Sequence, residues 1–197
     1  MESRPFLRRS AMNDQSEQLY RPWARRLHWI TAALVLTMLV AGQRFRLDLP
    51  KAQHIFSLAG HSALGVSLLV VMLVRVVYRL RNPPPPFPTE LSGWQHQLSA
   101  LVHGALYILL FAVPVLGLVA ASASPLPVQP AYLFNLTNLL GNPNEARFSV
   151  MRHYHDLSTW LLAALLAVHI AAALLHHYVL KDSVLGRMWP RSARRRA

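Results

Sequence analysis

Four long apolar stretches separated by short polar runs dominate the chain, at about residues 27–45, 55–78, 98–121 and 154–180. Each is close to the roughly 20 residues that a helix needs to cross ~30 Å of hydrocarbon. The sequence between them suits loops outside a bilayer: a proline run from Pro83 to Pro86 follows the second stretch, and Pro125, Pro127, Pro130 and Pro143 break up the segment after the third. The pattern predicts an all-α integral membrane protein, a bundle of four transmembrane helices in one membrane domain spanning 21–190. A basic leader over 1–20 reads as disordered and a basic tail occupies 191–197. No repeat beyond the hairpin rhythm and no soluble domain with its own core is visible.

Composition sharpens this picture. Of 197 residues 53% are apolar and 14% charged, against about a quarter charged in a soluble domain. Twenty Lys and Arg against eight Asp and Glu give a net charge of +12, which calls for a membrane surface or phosphates nearby. If both termini are inside, the inner side collects Arg4, Arg8, Arg9, Arg21, Arg25, Arg26, Arg75, Arg79, Arg81, Lys181, Arg187, Arg191, Arg194, Arg195 and Arg196. Only Arg44, Arg46, Lys51, Arg147 and Arg152 remain outside. The positive-inside rule therefore puts the N- and C-termini on the inner, cytoplasmic side of the membrane. The terminal SARRRA reads as an anchor on anionic membrane lipid rather than a nucleic-acid site. The basic and polar lead-in before the first helix is long for a cleaved signal peptide.

The absence of Cys removes disulfides, thiolate metal sites, iron–sulfur clusters and covalent haem attachment. Ten His are left as the strongest ligand type, and an ionisable residue inside a span is a functional hypothesis by default. His155 and His169 are 14 residues apart, which on a helix is about 1400° of rotation and about 21 Å of rise, so one face carries two sites at two depths. His61, near the outer end of the second stretch, matches His155 in depth. His28, near the inner end of the first, is left for an inner site with His169, although His176 continues the same stripe and competes for that role. Facing neutral imidazoles without a third ligand suit the two axial positions of a haem iron better than tetrahedral zinc. Gly60, Gly65, Ala163, Ala164, Ala167 and Ala171 to Ala173 flank these positions and leave clearance for a flat macrocycle.

Other polar groups receive plainer assignments. His103 and His176 both fall in the inner half and could hydrogen-bond the two carbonyl oxygens of a quinone. His54, His96 and His153 read as interfacial, and Trp23, Trp29, Trp94, Tyr78, Tyr107, Tyr178 and Trp189 as aromatic-belt residues. Arg75 and Arg79 are expected to snorkel to the inner headgroups, or one of them to pair a haem propionate. His153-x-His155 and His176-His177 resemble the His boxes of di-metal oxidases, but they fall on opposite sides of the membrane. The lack of intramembrane carboxylates argues against a proton-coupled carrier.

Taken together, R-L-H-W at 26–29, G-H-S-A-L-G at 60–65, V-R-V-V-Y-R-L-R-N-P-P-P-P at 74–86, H-x-x-x-Y at 103–107, V-P then G-L at 113–118, H-D at 155–156 and V-H-I-A-A-A-L-L-H-H-Y-V-L-K-D at 168–182 resemble the prokaryotic cytochrome b561 family. The resemblance covers about Arg21 to Pro190. It implies a four-helix bundle enclosing two b haems, with the inner one ligated at His28 and His169 and the outer one at His61 and His155, which removes His176 as a ligand. Among the family's members the chain looks most like superoxide oxidases, which pass an electron from superoxide through both haems to ubiquinone. In these the positions matching His103 and His176 lie at the quinone site. The expected activity is then that of a superoxide:ubiquinone oxidoreductase releasing O2. On the outer surface five cations stand against Asp48, Glu145 and Asp156, a net of +2. Arg152, one turn before His155, would draw the anion in. The rival expectation is an electron-relay subunit that docks a partner dehydrogenase or cytochrome through Phe134, Leu136, Leu139 and Leu140 of the long loop.

Overall fold

The computed structural model describes residues 19–86 and 92–189. Among them there is no strand, and four helices are long and apolar enough to cross a membrane. They are α1 (Pro22–Gly42), α2 (Lys51–Arg81), α3 (Gly93–Ser122) and α4 (Glu145–Leu175), the last continued by a π-type turn, His176–Leu180. The basic tail of 191–197, and all of the leader save Leu19 and Tyr20, lie outside the described residues.

Every helix starts earlier than its apolar stretch, because the starting signals lie in the polar flanks. Pro22 stands in the first turn of α1, where its missing N–H costs nothing. Ser92 and Gln95 form a capping box on α3, with the Ser92 N–H donating to Gln95 Oε1 at 2.8 Å. Asn144 caps α4 by accepting the Arg147 N–H at 2.8 Å, and Glu145 adds a favourable charge in the first turn. This cap carries α4 nine residues beyond the expected start at 154, so the loop-side end of the bundle projects further than hydropathy alone suggests.

Sequential helices pack as neighbours, α1 on α2, α2 on α3 and α3 on α4. The backbone of α4 closes on α3 and stands off from α1 and α2. Val35, Leu68, Met72, Leu106, Leu110, Val113 and Leu162 form the core. Leu162 lies seven residues from both His155 and His169, so the apolar core separates two histidine levels. Leu36, Val40, Leu73, Val77, Leu101, Ile108, Leu161 and Val168 point outward and are exposed. Such a belt would be an aggregation surface in water and is the ordinary surface of a helix in lipid.

Both ends of the bundle are finished by ordered loops. Lys181 reverses the chain at φ 53°, and the segment after it folds back beneath the start of α1. Arg25 donates to the Trp189 carbonyl at 3.0 Å and Trp29 Nε1 to the Met188 carbonyl at 2.9 Å. Arg187, only 5% exposed, donates to the Pro86 carbonyl at 2.7 Å and lies over the Tyr20 ring. Trp29 and Trp189, expected as separate belt residues, meet edge to face with centroids 5.7 Å apart. At the other end the 3₁₀ turn Pro130–Tyr132 packs on α2, and Arg147 ties the loop by donating to the carbonyls of Leu140 and Asn142.

Candidate functional site

Two pairs of imidazoles face each other across the gap between α4 and its neighbours. At the loop end, His61 of α2 and His155 of α4 have ring centroids 6.2 Å apart and planes at 81°. At the end carrying the chain termini, His28 of α1 and His169 of α4 stand 6.4 Å apart at 68°. Two imidazoles on opposite sides of one metal ion, with metal–nitrogen bonds of ~2.0–2.1 Å and ring centres ~1.1 Å behind the nitrogens, have centroids about 6.3 Å apart. Both pairs meet this requirement. Among the described residues no cluster of three His, Cys, Asp or Glu could hold a metal, so the donors at each level are a pair of imidazoles, which would suit a haem iron better than a tetrahedral shell.

The loop-end pair is built from a close helix approach. The His155 Nδ1–H donates to the Val113 carbonyl at 2.9 Å, which fixes the tautomer and leaves the Nε2 lone pair available to a ligand-binding role. This contact needs Gly117: a Cβ there would lie 3.1 Å from Cε1 and Nδ1 of His155. Pro114, which cannot continue the hydrogen-bond ladder of α3, stands between these two contact points. Across the gap, His61 Nδ1 is buried with no hydrogen-bond partner, and Phe45 packs on the same ring edge-on, with centroids 5.2 Å apart. Gly117 lies within a quoted motif, but only its contact with His155 explains it. Phe45 carried no signal in the sequence.

The second pair is more crowded. His103 of α3 packs against His169 with centroids 5.2 Å apart, and its Nδ1–H donates to the Ser99 carbonyl at 2.6 Å. Arg75 donates to His28 Nδ1 at 3.2 Å. A His28 that ligates through Nε2 carries its proton on Nδ1, so this contact and ligation exclude one another. Of the two arginines expected to snorkel to the inner headgroups, Arg75 is half-buried and Arg79 is exposed. Both lie over the Tyr107 ring, at 5.2 and 5.6 Å, because an aromatic face of α3 is within their reach and attracts a desolvating guanidinium. Tyr107 is thereby a packing partner of both arginines.

His176 belongs to a different level. It lies seven residues beyond His169, ~10 Å further along the axis, where its Nδ1 pairs with Asp182. Asp182 is held in turn by the Val184 N–H at 3.1 Å. These contacts set His103 beside His169 and His176 beside Asp182. Arg152 is exposed and lies 3.9 Å from Asp156, itself exposed. Arg44 donates to Ser57 at 3.1 Å, and Arg46 lies 4.8 Å from the Trp160 ring centroid. His54 packs beside Phe45 and His153 beside Tyr154.

Comparison with known proteins gives the family. Residues 19–191 match the family described as prokaryotic cytochrome b561. The chain is 31% identical to cytochrome b561 homolog 1 of Escherichia coli over 168 residues, covering 84% of this chain and 93% of the relative. It is 28% identical to a protein named probable superoxide oxidase CybB from Yersinia pestis, over 84% of this chain and 92% of that one. To cytochrome b562 of Cereibacter sphaeroides it is 28% identical over 82% of this chain and 89% of the relative. With four spanning helices and a match over nearly its whole length, the chain belongs to the prokaryotic cytochrome b561 family and is a multi-pass membrane cytochrome b of electron transfer.

Proposed function

We propose that this protein moves electrons from superoxide, on the outer face of the bacterial cytoplasmic membrane, to ubiquinone near the inner face. Two b haems would be held by His61 with His155 and by His28 with His169. The observation that carries the reading is the pair of centroid separations, 6.2 and 6.4 Å, at two levels of one helix. A bound b haem supplies a one-electron couple, which the side chains of this cysteine-free chain do not offer. The overall reaction consumes two superoxide anions, one quinone and two protons, and yields two O2 and one quinol.

The residues of the chain have distinct tasks in it. The Val113 carbonyl and Gly117 aim His155, and the core around Met72 and Leu162 keeps water out between the two levels. Arg152 contributes long-range attraction for a small anion, weakened by Asp156 and by exposure. His103 keeps Nε2 free, and the His176–Asp182 pair can hold and release a proton, so quinone protonation is assigned to these two groups.

The test is to follow the reduced haem bands of the detergent-purified protein while superoxide is generated enzymatically, with and without ubiquinone, and to repeat this with His155→Ala. Reduction whose rate rises with superoxide, is discharged by quinone and is lost in the variant is the expected outcome. Two spectroscopically normal haems left oxidised by superoxide would sink the catalytic reading. They would support the relay alternative, which the exposed Leu133, Phe134, Leu139 and Leu140 of the loop favour. Leu136, part of the expected docking face, is buried within the loop and is not available to a partner.

A further inference from the structure

A cleft opens at the end of the bundle that carries the chain termini, between the start of α1, the last turns of α2 and Tyr107 of α3. From α2 it is lined by Arg75, Arg79 and Asn82, positions that recur on one helix face. The lining holds two guanidinium groups and no carboxylate. Arg75 lies deeper, within 3.2 Å of His28 Nδ1, a contact it gives up where His28 ligates through Nε2. Arg79, four residues on, stands ~6 Å nearer the end of the bundle. Its guanidinium lies over the Tyr107 ring at 5.6 Å, a contact with the aromatic face that leaves the fork of N–H donors to be used. At the mouth a third cation, Arg21, donates to Asn82 Oδ1. The cleft therefore gathers positive charge and directed donors where the spanning helices end.

We propose that this cleft is a specific site for the phosphate of an anionic phospholipid, with Arg79 as the principal contact. A phosphate oxygen pair matches the guanidinium fork, and basic pockets between spanning helices at a membrane surface are a recurring form of headgroup recognition. A zwitterionic headgroup carries its own cation beside the phosphate and would bring that cation up against Arg21 and Arg79. A phosphate without such a partner is preferred. The same chemistry in free phosphate lacks the acyl chains that the lipid-facing surface of the spanning helices would receive.

The experiment uses the full haem-loaded chain, exchanged from mixtures of phosphatidylglycerol and phosphatidylcholine into mild detergent, with retained lipid counted by native mass spectrometry. Wild type is expected to prefer phosphatidylglycerol by about fivefold or more over its share of the mixture, the factor one Arg supplies at an anionic surface. Arg79→Gln should abolish the preference, and Arg79→Lys should keep most of it and guards against a failure of Arg79→Gln to fold. Arg81→Gln, exposed on the same last turn but outside the cleft lining, should leave the preference unchanged. An Arg79→Gln protein with intact preference, or an equal loss in Arg81→Gln, overturns the proposal in favour of diffuse surface charge. Displacement of the lipid by millimolar inorganic phosphate would name free phosphate as the ligand. Loss of haem from Arg79→Gln with unchanged lipid retention would mean that the arginine serves a haem carboxylate, and the lipid site would fall.

Discussion

Replacing Gly117 by Ala isolates the contact on which the loop-end histidine pair depends. The added Cβ would sit 3.1 Å from both Nδ1 and Cε1 of His155, and the ring must retreat by about 0.4 Å or more to reach ordinary van der Waals distance. That retreat stretches the 2.9 Å hydrogen bond to the Val113 carbonyl, with about 1 kcal/mol at stake. Residual overpacking costs about 1–3 kcal/mol more. Alanine is the better helix former by about 0.5–1 kcal/mol, so the helix itself is not weakened and the net penalty of about 2 kcal/mol falls on the geometry of His155. Expressed as haem affinity this is roughly 30-fold, within the 10–100-fold typical of losing a partner of a metal-ligating His. Haem per protein is measured by pyridine haemochrome after transfer to excess apomyoglobin. Two haems per chain are expected for wild type, falling toward one for Gly117→Ala, with one wave lost from the redox titration. A Gly117→Ala protein that keeps both haems with unchanged potentials would refute the close packing of His155 on α3 as the basis of the site.

Three further outcomes follow from other contacts. Asp182→Asn removes the charge from the partner of His176 and should slow quinone reduction about tenfold or more, while haem reduction from the outer face keeps its rate in stopped-flow traces. Equal slowing of both phases would contradict the protonation role. Leu162→Ala cuts the buried core between the two histidine levels and should cost about 2–5 kcal/mol, read as a lower midpoint in unfolding followed by tryptophan fluorescence. Arg152→Gln should lower the superoxide-dependent rate only a few-fold, because the side chain is exposed and shares its charge with Asp156, and the effect should shrink as salt is raised. A salt-independent loss would place Arg152 in direct contact with substrate instead.

The four spans and the relative depths of their histidines were legible without coordinates because both follow from local rules. Hydrocarbon requires a continuous apolar stretch, and a fixed rise and rotation per residue converts the 14-residue spacing of His155 and His169 into one face at two levels. The same rules mark the long loop as lying outside the bilayer.

What only the folded chain decided depends on residues far apart in sequence. Arg75 and Arg79 both came to lie over Tyr107 of α3, and hydropathy carries no information about which neighbour a long cation meets. Leu136 became the loop's own interior rather than a docking face, and Arg187 a buried clasp on Pro86 and Tyr20 rather than one more inner charge. The pairing of His176 with Asp182 required the reversal at Lys181. Gly117 is the clearest instance. Its place in a motif was visible, but its meaning lies in an atom of His155 that arrives from a different helix. Periodicity sets the depth and facing of a residue on its own helix, whereas close contacts between helices are set by steric fit that no single segment encodes.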